Sequence, residues 1–128
     1  MATIVHFDIP AENPERAQEF YTKLFGWKFT MLPGPEPYYL IETKDLQGKP
    51  GPGGGMAKKS DPQQSITNFI GVSSIDDSIQ KVKQSGGKVK QEKQSIPGFG
   101  FLAVCSDPEN NIFGLFEETP QPENKKQV

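Results

Sequence analysis

The chain has 128 residues, with 14 basic against 16 acidic side chains and a net charge of −2. One domain is expected at that length, with enough chain to bury a core without a disulfide scaffold or a structural metal. The near-even charge excludes the basic footprint of a nucleic-acid binder, and a single cysteine and a single histidine exclude a disulfide, a cysteine-cluster metal site and a multi-histidine site within one chain.

Thr3 to Ile9 reads as a strand, because Val5, Phe7 and Ile9 alternate with Ile4, His6 and Asp8; Pro10 is expected to stop it. Asn13-Pro14-Glu15 is a helix start, with an Asn cap and Pro at the first helical position. Ala17, Phe20, Tyr21 and Leu24 follow as one apolar stripe, with Phe20 and Tyr21 expected in the core, and Gly26 is a stop. Trp27 to Leu32 is a strand, Pro33-Gly34-Pro35 a turn, and Tyr38 to Thr43 another strand. A polar loop runs from Lys44 to Pro52. Gly53-Gly54-Gly55-Met56-Ala57 then reads as a short, close-packed strand rather than a phosphate loop, since no Gly-Lys-Ser/Thr opens a helix there.

The same order returns about 60 residues on. Ile66 to Val72 is a strand, and Ser74-Ile75-Asp76-Asp77 opens a helix with acidic residues at the positive end of its dipole. Ile75, Ile79 and Val82 form its stripe and Gly86-Gly87 closes it. Lys88 to Lys93 is a strand with a prominent polar face, Ile96-Pro97-Gly98 a turn, and Phe99 to Ser106 a strand. Asp107 to Asn111 turns into the final strand, Ile112 to Glu117. Residues 119–128 are a polar tail expected to be disordered. The pattern gives an α+β domain over residues 1–118: two tandem βαβββ modules, about 1–60 and 61–118, forming one curved mixed sheet with helices outside and a central cleft. Such concave faces make ligand sites.

His6-Phe7-Asp8-Ile9-Pro10, Pro14-Glu15-Arg16-Ala17 through Phe20-Tyr21, Phe25-Gly26-Trp27-Lys28, Gly53 to Met56, Ile96-Pro97-Gly98, and Asp107-Pro108 through Asn111 to Leu115 stand in an informative order. In these phrases the chain resembles the glyoxalase, bleomycin-resistance and extradiol-dioxygenase superfamily, the vicinal oxygen chelate fold, over residues 3–118. The resemblance implies paired βαβββ modules around a cup-shaped cleft and a homodimer. In many members one divalent metal is held by His or Glu on the first and last strands of each module, whereas drug-sequestering members lack it. The positions it implies for ligands fall at Ile4, at Thr67 or Asn68, within Gly53 to Met56, and at Gly114. None is an ordinary ligand of a catalytic transition metal, which needs three protein donors. No metal ligand and no cofactor is therefore expected, with a weakly held divalent metal as the alternative.

His6 shares a sheet face with Ile4 and Asp8, and is the candidate catalytic residue or substrate hydrogen-bond partner. Trp27, Tyr38, Tyr39, Phe99, Phe101 and Phe116 are the aromatic set from which a ligand wall is drawn, with Trp27, Tyr39, Phe99, Phe101 and Phe116 as its candidate residues. Cys105 is expected as a buried hydrophobe, Glu117 on the face opposite the position of Gly114, and the lysines at 81, 83, 88, 90 and 93 as a solvated band. Arg16 is the only arginine, which argues against a multi-carboxylate or phosphate-rich substrate, glutathione included. The expected function is metal-free binding of a small aromatic or apolar molecule. The alternative is a lyase, isomerase or dioxygenase acting on a small oxygenated substrate, with His6 in proton transfer or weak metal binding. No apolar run approaches the roughly 20 residues of a membrane span. No signal segment opens the chain, so a cytoplasmic protein without membrane or nucleic-acid partners is expected.

Overall fold

The computed structural model describes residues 1–119. The chain divides into two compact units, Val5–Asn68 and the chain from Phe69 onward joined by Met1–Ile4. The first four residues go with the second unit, where Gly71 N–H donates to the Thr3 carbonyl at 3.0 Å.

The first unit contains β1 (Ile4–Ala11), α1 (Pro14–Phe25), β2 (Lys28–Leu32), β3 (Tyr38–Glu42) and β4 (Gly53–Lys58). Its strands lie in the order β2-β3-β4-β1, with β1 and β4 parallel and the other pairs antiparallel. The second unit contains β5 (Thr67–Gly71), α2 (Ile75–Gln84), β6 (Lys88–Ile96), β7 (Gly100–Ser106) and β8 (Ile112–Glu118), in the order β5-β8-β7-β6 with β5 and β8 parallel. Each unit is thus a βαβββ module of the α+β class.

The helices begin and end where their capping residues require. Asn13 Oδ1 accepts from Arg16 N–H at 3.1 Å, Pro14 fills the first helical position, and Gly26 closes α1 at φ +71°. Ser74 Oγ accepts from Asp77 N–H at the start of α2. That helix gains a second cap from afar: Glu117 Oε1 accepts from Ile75 N–H at 2.9 Å. A carboxylate there also meets the positive end of the helix dipole.

One core lies under each helix. Ile9, Ala11, Tyr39, Ile41 and Met56 form the first, with Ala17 and Tyr21 of α1 against them. Ile75, Ile79, Ala103, Cys105 and Leu115 form the second. Cys105 is fully buried, and that burial pushes its thiol pKa up, with the charge of Glu92 adding to the effect. The expected stripe of α1 is corrected at two places: Phe20 and Leu24 are 57% and 58% exposed, so only Ala17 and Tyr21 of the four reach the core.

Pro10 does not stop β1. It pairs in register with Ala57, and the Ala11 carbonyl accepts from Lys59 N–H at 2.8 Å. Strand alternation then turns the Pro10 nitrogen away from β4, so the missing N–H removes no bond of that ladder. In the second unit β6 runs to Ile96, past the expected Lys93, through register shifts between Val89 and Gln91 and between Gln91 and Gln94. These irregularities let a polar strand keep pairing with β7. Of the expected tail, Thr119 is paired, its N–H donating to the Phe99 carbonyl at 2.9 Å; residues 120–128 lie outside the described residues.

Ile79 is 5% exposed and packs into the second core, so Ile79→Ala should destabilise the protein by about 2–5 kcal/mol. Asn13→Ala removes only a surface cap and should cost about 1 kcal/mol. Urea unfolding of both variants checks the order of the two effects.

Candidate functional site

The alternation in β1 divides its side chains cleanly. Phe7, Ile9 and Ala11 meet the core under α1, and His6 and Asp8 stand on the opposite face of the first unit's sheet. On that face β4 contributes Gly53, Gly55 and Ala57, and β3 contributes Tyr38 and Leu40, as the strand register requires.

Three of these side chains form a closed hydrogen-bonded group. Tyr38 Oη donates to Asp8 Oδ1 at 2.7 Å. His6 Nε2 lies 3.0 Å from the same oxygen and 3.1 Å from Tyr38 Oη. The tyrosine's only proton is committed to Asp8, so His6 Nε2 must itself carry a proton to bond the carboxylate. In the neutral imidazole the lone pair then sits on Nδ1. The His6 and Asp8 side chains keep 29% and 33% of their exposure, so solutes reach them.

Tyr38 starts two strands away from Asp8, with β4 between them. It spans that distance because residue 55 is glycine. A Cβ there would collide with the Tyr38 hydroxyl and stand 2.8 Å from Asp8 Oδ1. The phenol lies where a side chain of β4 would otherwise be. Burial first, and then the charge and hydrogen bond of Asp8, push the Tyr38 phenol far above the ordinary tyrosine range.

The second unit shows the same substitution of ring for side chain. A Cβ on Gly114 of β8 would run into the ring of Phe69, whose Cγ is 2.7 Å from it. Gly55 belongs to the segment, and Gly114 is the position, where the resemblance implies metal donors; both spaces are filled by aromatic side chains. Among the described residues no three His, Cys, Asp or Glu side chains come together. The residues present do not fit the metal that the fold implies.

The sequence-derived aromatic set scatters. Trp27 stacks on Tyr21, with centroids 4.8 Å apart and planes 7° apart, and packs against the first core. Tyr39 is in that core too, its hydroxyl donating to Glu15 Oε2 at 3.3 Å; desolvation, then Glu15, raises its pKa. Both residues lie on the α1 side of the sheet, opposite His6. Phe101 packs against the second core under α2, with the Lys93 ammonium 4.5 Å from its ring centroid. Phe99 is 44% exposed in the turn before β7. Phe116 follows Leu115 on β8 and so faces away from α2. Of the candidates, His6 is the one that stands with Asp8 and Tyr38 on the face away from α1. The signal for Tyr38 is present in the sequence as phase: adjacent Tyr38 and Tyr39 must face opposite sides of one strand. The glycine that admits it lies 17 residues further along and is not tied to it by any pattern.

Comparison with known proteins agrees with this architecture. The family profile described as bleomycin resistance protein-like N-terminal matches residues 3–43. A glyoxylase-like domain-containing protein of Didymella fabae is 30% identical over 116 residues, covering 79% of this chain and 91% of that one. CFP32 of Mycobacterium tuberculosis is 26% identical over 125 residues; the match covers 93% of this chain and 45% of that protein, so the chain spans about half its length. Among solved structures, Streptomyces coelicolor methylmalonyl-CoA epimerase in complex with 2-nitronate-propionyl-CoA superposes with a TM-score of 0.69 at 11% identity, covering 91% and 97% of the two chains. BH1468 of Bacillus halodurans gives 0.70 at 17% identity, covering 96% and 99%. The structural neighbours define the class, the vicinal oxygen chelate fold. Within it, the chain belongs to the glyoxalase/bleomycin-resistance superfamily.

The raised Tyr38 phenol leads to a pH prediction. The unfolded phenol ionises near pH 10 and the folded one well above it, so the native state holds the proton more tightly. That contribution is fully present below pH 10 and is lost as pH rises toward the folded value. Asp8→Asn removes the carboxylate charge, the smaller cause, so Tyr38 should ionise earlier than in the unmodified chain but still above ordinary tyrosine because it stays buried. Ultraviolet titration of the phenolate should show the delayed tyrosine transition shifted to lower pH in that variant.

Proposed function

We propose that the chain binds a small organic molecule with an apolar body on the sheet face that carries His6, Asp8 and Tyr38, without a tightly held catalytic metal. The observation that carries this reading is the path of Tyr38 across Gly55 to Asp8. It fills space that a metal donor would need and places an aromatic ring beside two accessible polar groups. Leu40, Ala57 and Pro10 lie on the same face and extend the apolar surround. The cellular form in this reading is a cytoplasmic homodimer.

A second reading rests on His6. With Nε2 held by Asp8 and Tyr38, the His6 ring is fixed in orientation beside any molecule bound on this face, ready for proton transfer with it. This is the arrangement of a proton-transfer enzyme of the lyase or isomerase type acting on a small oxygenated substrate. Its mark is solvent deuterium entering the substrate, lost in His6→Ala.

The purified protein should hold well below one equivalent of any divalent metal. In a thermal-shift screen of small aromatic compounds, hits should weaken about tenfold or more in His6→Ala and Tyr38→Ala. Stoichiometric metal that leaves with His6→Ala overturns the metal-free reading. A diverse screen without a single hit overturns the binding reading.

A further inference from the structure

Asp8 is unevenly satisfied. Its Oδ1 takes both hydrogen bonds that reach the carboxylate, from Tyr38 Oη at 2.7 Å and from His6 Nε2 at 3.0 Å. Its Oδ2 takes none from the described residues. A carboxylate offers about four acceptor positions, and both donors have converged on one oxygen. The side chain keeps a third of its exposure, so a ligand can reach the open oxygen.

The charge is uneven too. Among the described residues His6 is the only base within 4.0 Å of the Asp8 carboxylate; the other ion pair of the structure joins Lys93 to Asp76 in the second unit. Tyr38 is neutral at every physiological pH, since its phenol is held above the ordinary range. Asp8 is the one carboxylate of the group. The strand register sets Pro10, Leu40 and Ala57 on the same sheet face, and the Tyr38 ring ends on Asp8. A carboxylate with one open oxygen, set among apolar side chains, selects a cation that can donate a hydrogen bond.

We propose that the ligand of this face is a small primary amine with an apolar body, its ammonium set on Asp8 Oδ2 and its carbon skeleton against Leu40 and the Tyr38 ring. The proposal rests on the binding reading above and names its ligand class. A charge-assisted bond of this kind is about twice as strong as the neutral bond an alcohol would make. A carboxylate ligand would meet the charge of Asp8 head on. The recognition needs no arginine, consistent with a chain whose one arginine, Arg16, lies on α1.

The test compares three probes of one shape, benzylamine, benzyl alcohol and benzoate, by calorimetry and by the His6 ring resonances of the full chain. Benzylamine is expected to bind at least tenfold more tightly than benzyl alcohol, to weaken as salt rises, and to move the His6 signals; benzoate is expected not to bind. Asp8→Asn should remove the preference of amine over alcohol. If benzyl alcohol or benzoate moves His6 as strongly as benzylamine at equal concentration, the face binds small molecules but the amine assignment is overturned. If none of the three moves His6, the amine assignment falls; whether the binding reading falls with it is decided by the broader screen above. An unchanged preference in Asp8→Asn also overturns the assignment. Should that variant fail to fold, the order of the three probes on the unmodified chain, with its salt dependence, decides alone.

Discussion

The absence of a side chain at residue 55 governs the polar face of this protein. A single Cβ there would occupy the place of the Tyr38 hydroxyl. Without it, a tyrosine from β3 crosses β4 and reaches Asp8 on β1, and one hydrogen bond of 2.7 Å then ties three strands together. The position of His6 depends on the same bond. Asp8 Oδ1 is held from one side by the phenol and from the other by the imidazole, so each donor fixes the acceptor the other uses. A half-buried carboxylate is tolerated because it has two donors.

The two faces of the first unit's sheet do different work. Under α1 lie the side chains that must escape water, and there the aromatic residues cluster: Phe7, Tyr21 and Trp27 contact one another in a run of tilted and stacked rings. The other face carries His6, Asp8 and the Tyr38 hydroxyl beside Pro10, Leu40 and the glycines of β4. That division explains why Trp27 and Tyr39, both strong candidates for a ligand wall by residue type, are packing residues by position. Aromatic side chains bury the most area, and the helix side is where area is buried.

Several features that look chemical are devices of the fold. Glu117 closes the start of α2 from the neighbouring strand. Asp107 Oδ1 accepts from the N–H groups of Glu109 and Asn111, and Asn111 Nδ2 donates to Asp107 Oδ2; these bonds hold the Asp107 carboxyl below its ordinary range. Asn110 takes φ +68° in the same turn, a conformation its short polar side chain tolerates. The Asp107 to Asn111 phrase, a main element of the family likeness, is a hairpin turn between β7 and β8. Phe69 against Gly114 is a packing contact of the same kind as Tyr38 against Gly55, without the polar end.

The sequence alone determined the repeated βαβββ order, the caps of both helices, the burial of Cys105 and the shared sheet face of His6 and Asp8. Each is local: a period of two or 3.6, a cap residue at its offset, a glycine just past a helix end. Local rules misplaced Pro10, because whether a missing N–H matters depends on which neighbour the nitrogen faces. They misplaced Phe20, because a helix stripe says which side is apolar and not how wide the groove beneath it is. Only the tertiary structure decided that Tyr38 belongs with His6 and Asp8, and that Gly55 admits it. Residues 8, 38 and 55 are distant along the chain, and what joins them is strand order and register, which no single segment encodes.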